Sequence, residues 1–136
     1  MSELPNKERE YVTMPYADSP GRWKSVLMQD GQAEMSWTPT PDMANPFGSV
    51  HGGIVATVID EVTGAAVMSS IGSGTAPTVS LHVEYLHAIA IGGTYTVVGE
   101  IVRRGRAMAI VDGRILNEEG EVLVRGTCIY QIPRPK

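Results

Sequence analysis

The 136-residue chain is poor in the residues that would announce several common chemistries. A single cysteine, Cys128, excludes an internal disulfide framework and a multi-cysteine metal site, and suits a reducing compartment. No basic tract is present and the net charge is −4, so the electrostatic footprint of a nucleic-acid binder is missing. Aromatics are few, with one Phe, two Trp and five Tyr, and argue neither for nor against an aromatic ligand. The longest apolar run, residues 54–68, carries Asp60 and Glu61 and is too short for a membrane span. The polar segment 1–11 has no readable signal peptide. The expectation is one cytoplasmic domain of ordinary globular composition that engages neither nucleic acid nor membrane.

What is there centres on residues 45–68. A loop, Asn45-Pro46-Phe47-Gly48-Ser49-Val50-His51-Gly52-Gly53, feeds a nearly uncharged run. At 3.6 residues per turn, Ile54, Val55, Val58, Ile59, Val62, Ala65 and Ala66 fill one arc, the expected core face of a helix. Asp60 falls on the other side, among Ala56, Thr57, Thr63 and Gly64. An ordinary surface helix would carry Lys, Glu and Arg there. A second face of small residues predicts cover on both sides, by the chain's own sheet and by a partner. A carboxylate on such a face is costly to bury without compensation, which makes Asp60 a candidate for chemistry, against the plainer alternative of a partly solvated acid near a helix end.

The remainder reads as strands. Residues 1–20, with Pro5, Pro15 and Pro20, form an N-terminal arm, and 21–136 one domain. Segments 23–29 and 32–38 flank Asp30-Gly31, a strong hairpin signal. Pro39, Pro41 and Pro46 make 38–48 a loop, and Gly72 and Gly74 end the helix. Segments 78–87, 94–103, 107–116 and 122–132 are the later strands. In the first of them, period two puts Val79, Leu81, Val83 and Tyr85 on one face and Thr78, Ser80, His82 and Glu84 on the other. The fold class is α+β, an antiparallel sheet of about six strands wrapped around one long central helix. So much sheet for one helix again points to a partner subunit.

Asn45, then His51-Gly52-Gly53, then Asp60 nine residues after His51, with Thr78 opening the next strand, resembles the hotdog-fold acyl-CoA thioesterases. The similarity is to the Asp-using branch typified by phenylacetyl-CoA thioesterase and runs over about residues 21–132. It implies that Asp60 is the catalytic acid, as general base or nucleophile, and that the Gly52 N–H donates to the thioester oxygen, with Gly53 beside it. Asn45 would hold substrate or water, Thr78 would help place the water, and His51 would shape the loop more than handle protons. The relatives that use Glu at this place carry Ser or Thr four residues later, where this chain has Gly64. No cofactor or metal is implied, CoA being part of the substrate.

Elementary geometry adds a constraint. Gly52 and Asp60 are eight residues apart, about 12 Å of helix rise, yet both should sit about 3 Å from one carbonyl. If both serve one reaction they come from different chains, which predicts a homodimer or homotetramer with sites at the subunit interface. Glu61, about 100° around the helix, is the weaker candidate acid. Arg103, Arg104 and Arg106 at a hairpin tip are candidate contacts for CoA phosphates, or a solubilising turn. His82 and His87 point oppositely along a strand and predict no shared metal site. Two rival readings are a hotdog hydratase or dehydratase, and a non-catalytic acyl-CoA-binding module.

Overall fold

The structure, a computed structural model, describes residues 23–133. The proposed 1–20 arm lies outside the described residues. Six strands surround one long helix: β1 (Lys24–Gln29), β2 (Gln32–Trp37), α1 (Gly52–Ile71), β3 (Thr78–Tyr85), β4 (Tyr95–Arg104), β5 (Met108–Leu116) and β6 (Val122–Gln131). They form one sheet in the order β1-β2-β4-β5-β6-β3, antiparallel at every pairing. This is the wrapped-helix architecture expected from the sequence. The Asp30-Gly31 turn has φ of 52° and 82°, as a two-residue hairpin requires. The loop before the helix holds one element that the prolines concealed, a 3-10 turn over Pro41–Met43 that buries Met43.

The helix lies closely on the sheet because three strands offer glycine where they cross it. Gly99, Gly113 and Gly126 are mutual neighbours across β4, β5 and β6, with Ala33 of β2 extending the row. A Cβ at Gly99 would come within 2.7 Å of the Val62 carbonyl oxygen, and one at Gly113 within 2.9 Å of Thr63 Cγ2. One at Gly126 would lie 2.8 Å from Ile59 Cγ2. The row forms a trough for α1, whose Val58, Ile59, Val62 and Ala66 are fully buried.

Two expectations about α1 are corrected. Thr63 and Gly64 are buried and do not share an open face with Asp60, whereas Ile54 is only half-buried. The curved sheet covers more of the helix than a flat one would, and Thr63 sits on it over Gly113. The helix runs for 20 residues and stops at Gly72, as its glycines indicated. By length and composition alone it meets the requirement for a membrane span, with a mean hydropathy of 1.5 over its most apolar stretch. Its apolarity has another cause here, the sheet that wraps it. At its end Gly72, with φ of 76°, donates its N–H to the Met68 carbonyl and stops the helix.

Strand β3 closes one edge of the sheet, and a bulge at its start changes which way its first residue faces. Thr78 is opposite Tyr130, but Ser80 is opposite Ile129, so Val79 is an extra residue. Leu81, Val83 and Tyr85 lie opposite Cys128, Gly126 and Val124 on the helix side. Thr78, opposite the buried Tyr130, joins that side too, and does not follow Ser80, His82 and Glu84 outward as period two predicted.

Candidate active site

The site is built on both ends of the first half of α1. At the N-terminus, the loop is shaped by Asn45. Its Oδ1 accepts from the N–H groups of Phe47 and Ser49, at 2.9 and 3.2 Å, and its Nδ2 donates to Ser49 Oγ at 3.1 Å. The Asn45 side chain thus works on the loop in this single chain. His51 is the N-cap residue, and its Nδ1 accepts from the Gly53 N–H at 3.0 Å. Acceptance at Nδ1 puts the proton of the neutral ring on Nε2 and gives His51 the loop-shaping place expected for it.

That cap occupies the Gly53 N–H and leaves its neighbour open. No described residue accepts from the Gly52 N–H, which stands at the positive end of a 20-residue helix. The Gly52 carbonyl accepts from Tyr85 Oη at 2.7 Å, tying the helix start to the end of β3. Beside it runs a groove of about 390 Å³ whose walls include Asn45, Ser49, Gly52, Tyr85, Leu86 and Ile89.

Asp60 sits two turns further on, half-buried, on the flank of α1 that faces β3 and β6. Its Oδ1 accepts from Thr78 Oγ1 at 2.9 Å and from Tyr130 Oη at 2.8 Å. Its Oδ2 receives no hydrogen bond from a described residue. Thr78, a candidate from sequence, is therefore in contact with the candidate acid. Tyr130 was not singled out from sequence. It is 2% exposed, and its hydroxyl also lies 2.8 Å from the Asp60 carbonyl oxygen and 2.7 Å from Thr63 Oγ1. The available signal was a hydroxyl-bearing residue in the inward series Val124, Gly126, Cys128, Tyr130 of β6.

Other ionisable groups are poorly suited to take over. Glu61 is 6% exposed, and its Oε2 is buried without a hydrogen-bond partner. Burial, with the Asp60 charge beside it, raises its pKa from 4.5 to about 7, so near neutrality Glu61 is about half protonated inside the protein. Burial pushes the Cys128 thiol up to about 11, far from a reactive thiolate. His82 and Arg125 pair with Glu84 on the outer face of the sheet.

The arginine cluster is not beside Gly52 of its own chain. Arg104 Nη1 donates to the Ser70 carbonyl and to Ser70 Oγ, at 3.1 and 2.6 Å, where the cation also faces the negative end of α1. Ser70 is eighteen residues from Gly52, about 27 Å of helix rise. Arg103 and Arg106 are exposed in the same hairpin. The structure thus brings together Asp60 with Thr78, and Asn45 and His51 with Gly52 and Gly53, as two separate clusters on one helix.

Comparison with known proteins bears on these clusters. A family model described as the Thioesterase superfamily matches residues 47–124, more than half of the chain and the stretch that contains Gly52, Asp60 and Thr78. Mouse acyl-coenzyme A thioesterase 13 is 24% identical over 83 residues, 60% of this chain and 59% of that protein. The chain therefore spans less than two thirds of that curated relative. Among solved structures, a hypothetical thioesterase protein from Streptococcus pneumoniae TIGR4, crystallised with coenzyme A, is 25% identical. It superposes with a TM-score of 0.78 over 85% of this chain and 91% of that one. The same protein has been crystallised with an aspartate, and with a threonine, replaced by alanine. The E. coli PaaI protein from the phenylacetic acid degradation operon shares the fold at a TM-score of 0.85, with 21% identity over 96% of this chain and 94% of its own. With a family model spanning the helix that carries Asp60 and the strand that carries Thr78, the chain belongs to the thioesterase superfamily.

Proposed function

We propose that the protein is an acyl-CoA thioesterase, hydrolysing a CoA thioester to the free acid and CoA. The observation that carries this reading is the state of Asp60: a half-buried carboxylate with one oxygen held by two hydroxyls and the other without a donor among the described residues. As general base, Oδ2 removes a proton from water as the water oxygen bonds to the thioester carbonyl carbon. The C–S bond then breaks, and the CoA sulfur takes the proton back from Asp60. As nucleophile, the same oxygen would bond to the carbonyl carbon and displace CoA as its thiolate; water would then hydrolyse the resulting anhydride, one of its protons going to the thiolate. Either route needs a donor for the oxyanion, and the open Gly52 N–H at a helix N-terminus suits it. CoA enters as substrate by analogy with the CoA-bound Streptococcus structure. The reaction needs no cofactor, and a cytoplasmic setting fits the lone buried cysteine.

The proposed working unit is a homodimer or homotetramer in which Asp60 of one protomer faces Gly52 of its partner. Support comes from the helix rise between the two residues and from the edge strand β3. That edge exposes Val79 and Leu81, with Tyr85 and Leu86 following, an apolar row that a monomer would leave in water. Arg103 and Arg106 are proposed as contacts for the CoA phosphates carried over from a partner's groove. Free-thiol release from a panel of acyl-CoAs, by wild type and by Asp60→Asn, tests the reading. Release by the wild type that Asp60→Asn loses supports it. No release from any member, with CoA thioesters still bound, would favour an acyl-CoA-binding module instead.

A further inference from the structure

We propose that Tyr130 is a positioning residue that aims the Asp60 carboxylate, donating its phenolic hydrogen to Oδ1 so that Oδ2 is the oxygen presented to the reacting water or thioester. The inference rests on the reading of Asp60 as the catalytic acid. Its basis is a count of hydrogens. Tyr130 has one O–H hydrogen and three acceptors within 2.8 Å: Asp60 Oδ1, the Asp60 carbonyl and Thr63 Oγ1. The Asp60 carbonyl already belongs to the hydrogen-bond ladder of α1. The Thr63 hydroxyl has a hydrogen of its own to give to Tyr130 Oη, so their 2.7 Å contact needs none from the phenol. An ionised carboxylate is the strongest acceptor of the three, and an O–H bond to it is charge-assisted.

The phenol is dependable as a donor. Burial first, then the nearby Asp60 charge, hold its ionisation far above the ordinary tyrosine range, so it keeps its proton wherever the protein is folded. It is also fixed in place. Tyr130 is 2% exposed in β6, and its cross-strand neighbour is Thr78, whose hydroxyl ends on the same Oδ1. Two donors from adjacent strands converge on one oxygen of a side chain projecting from the helix. A carboxylate so gripped loses rotation about its terminal bonds, and its free oxygen points one way. A purely structural aromatic at this position would not need the hydroxyl, and a hydroxyl in an apolar core is unfavourable unless bonded.

Tyr130→Phe keeps the ring and removes only the donor. Thiol-release kinetics should show kcat lowered roughly 10- to 100-fold, the range for a lost hydrogen bond to a charged group, with KM and the thermal midpoint near those of the wild type. A second readout needs no substrate: three-bond couplings between the backbone nitrogen and Cγ of Asp60 report its rotamer. They should indicate one rotamer in the wild type and an average in Tyr130→Phe. Unchanged kcat with unchanged couplings would overturn the proposal. So would a loss of activity matched by a lower thermal midpoint and a raised KM, the pattern of a structural role. If the wild type hydrolyses no acyl-CoA, the thioesterase reading falls alone, and the couplings still decide whether Tyr130 orients Asp60.

Discussion

Thr78 and Tyr130 lie opposite one another across the β3–β6 pair, and their hydroxyls meet on the same oxygen of Asp60, at 2.9 and 2.8 Å. The bulge at Val79 makes this possible, because without the extra residue Thr78 would follow Ser80 to the outer face. An irregularity at the sheet edge thus sets the geometry around the candidate acid.

Replacing Thr78 tests that geometry from the other strand. Thr78→Val keeps the shape but removes the donor, and should lower kcat roughly 10- to 100-fold, since a hydrogen bond to a charged group contributes about 1.5–3 kcal/mol. Thr78→Ser keeps the hydroxyl and should retain most of the activity. Steady-state kinetics on the two variants check this, and equal activity in both would contradict it.

The proposed oxyanion donor can be deleted without disturbing the helix. Gly52 is the first helical residue, where proline is tolerated, and His51 at φ −57° and ψ 133° has the backbone that a residue before proline prefers. A Cβ at residue 52 meets the Tyr85 ring at 3.6 Å, an ordinary contact. Gly52→Pro should therefore fold normally and lose about 10²–10³ in kcat, as removal of one oxyanion-hole donor does. Circular dichroism and thiol-release assays check both parts.

Much of this was legible in the sequence, and the misreadings share a cause. The Asp30-Gly31 hairpin, the helix stop at Gly72 and the spacing from Asn45 to Asp60 are local signals, and each found its element. Thr78 was grouped on one face with Ser80, His82 and Glu84 because a bulge leaves no mark on alternation. Thr63 and Gly64 were placed on the open face because a helical wheel does not know how far a curved sheet reaches around it. Tyr130 is seventy residues from Asp60, and only the pairing of β6 with β3 brings it to the carboxylate. The glycines of β4, β5 and β6 were each visible, but the trough they form depends on register.

That trough yields a stability prediction. At Gly99 an added methyl would meet the Val62 carbonyl oxygen at 2.7 Å, a backbone atom that has no rotamer to move. Gly99→Ala should cost about 1–3 kcal/mol, as overpacking of a core typically does. Thermal or urea unfolding measures it, and a midpoint equal to the wild type would show that the helix does not depend on this close approach.

Glu61 predicts a pH dependence. Its folded pKa, about 7, lies above its ordinary 4.5, so the folded state holds a proton that the unfolded chain releases between those values. Stability from this group is greatest below pH 4.5 and falls as pH rises toward 7, by on the order of 3 kcal/mol in total. Glu61→Gln should match the wild type in urea unfolding at pH 4.5 and exceed it at pH 8. A variant less stable than the wild type at pH 8 would contradict this.

The most direct test of a shared active site is complementation between two inactive variants. Asp60→Asn and Gly52→Pro are unfolded together, refolded as a mixture and assayed for thiol release. If Asp60 of one protomer works with Gly52 of its partner, each mixed dimer regains one intact site. With half of the dimers mixed by random pairing, activity per chain should return to about a quarter of the wild-type value. A mixture no more active than its two components would contradict the account.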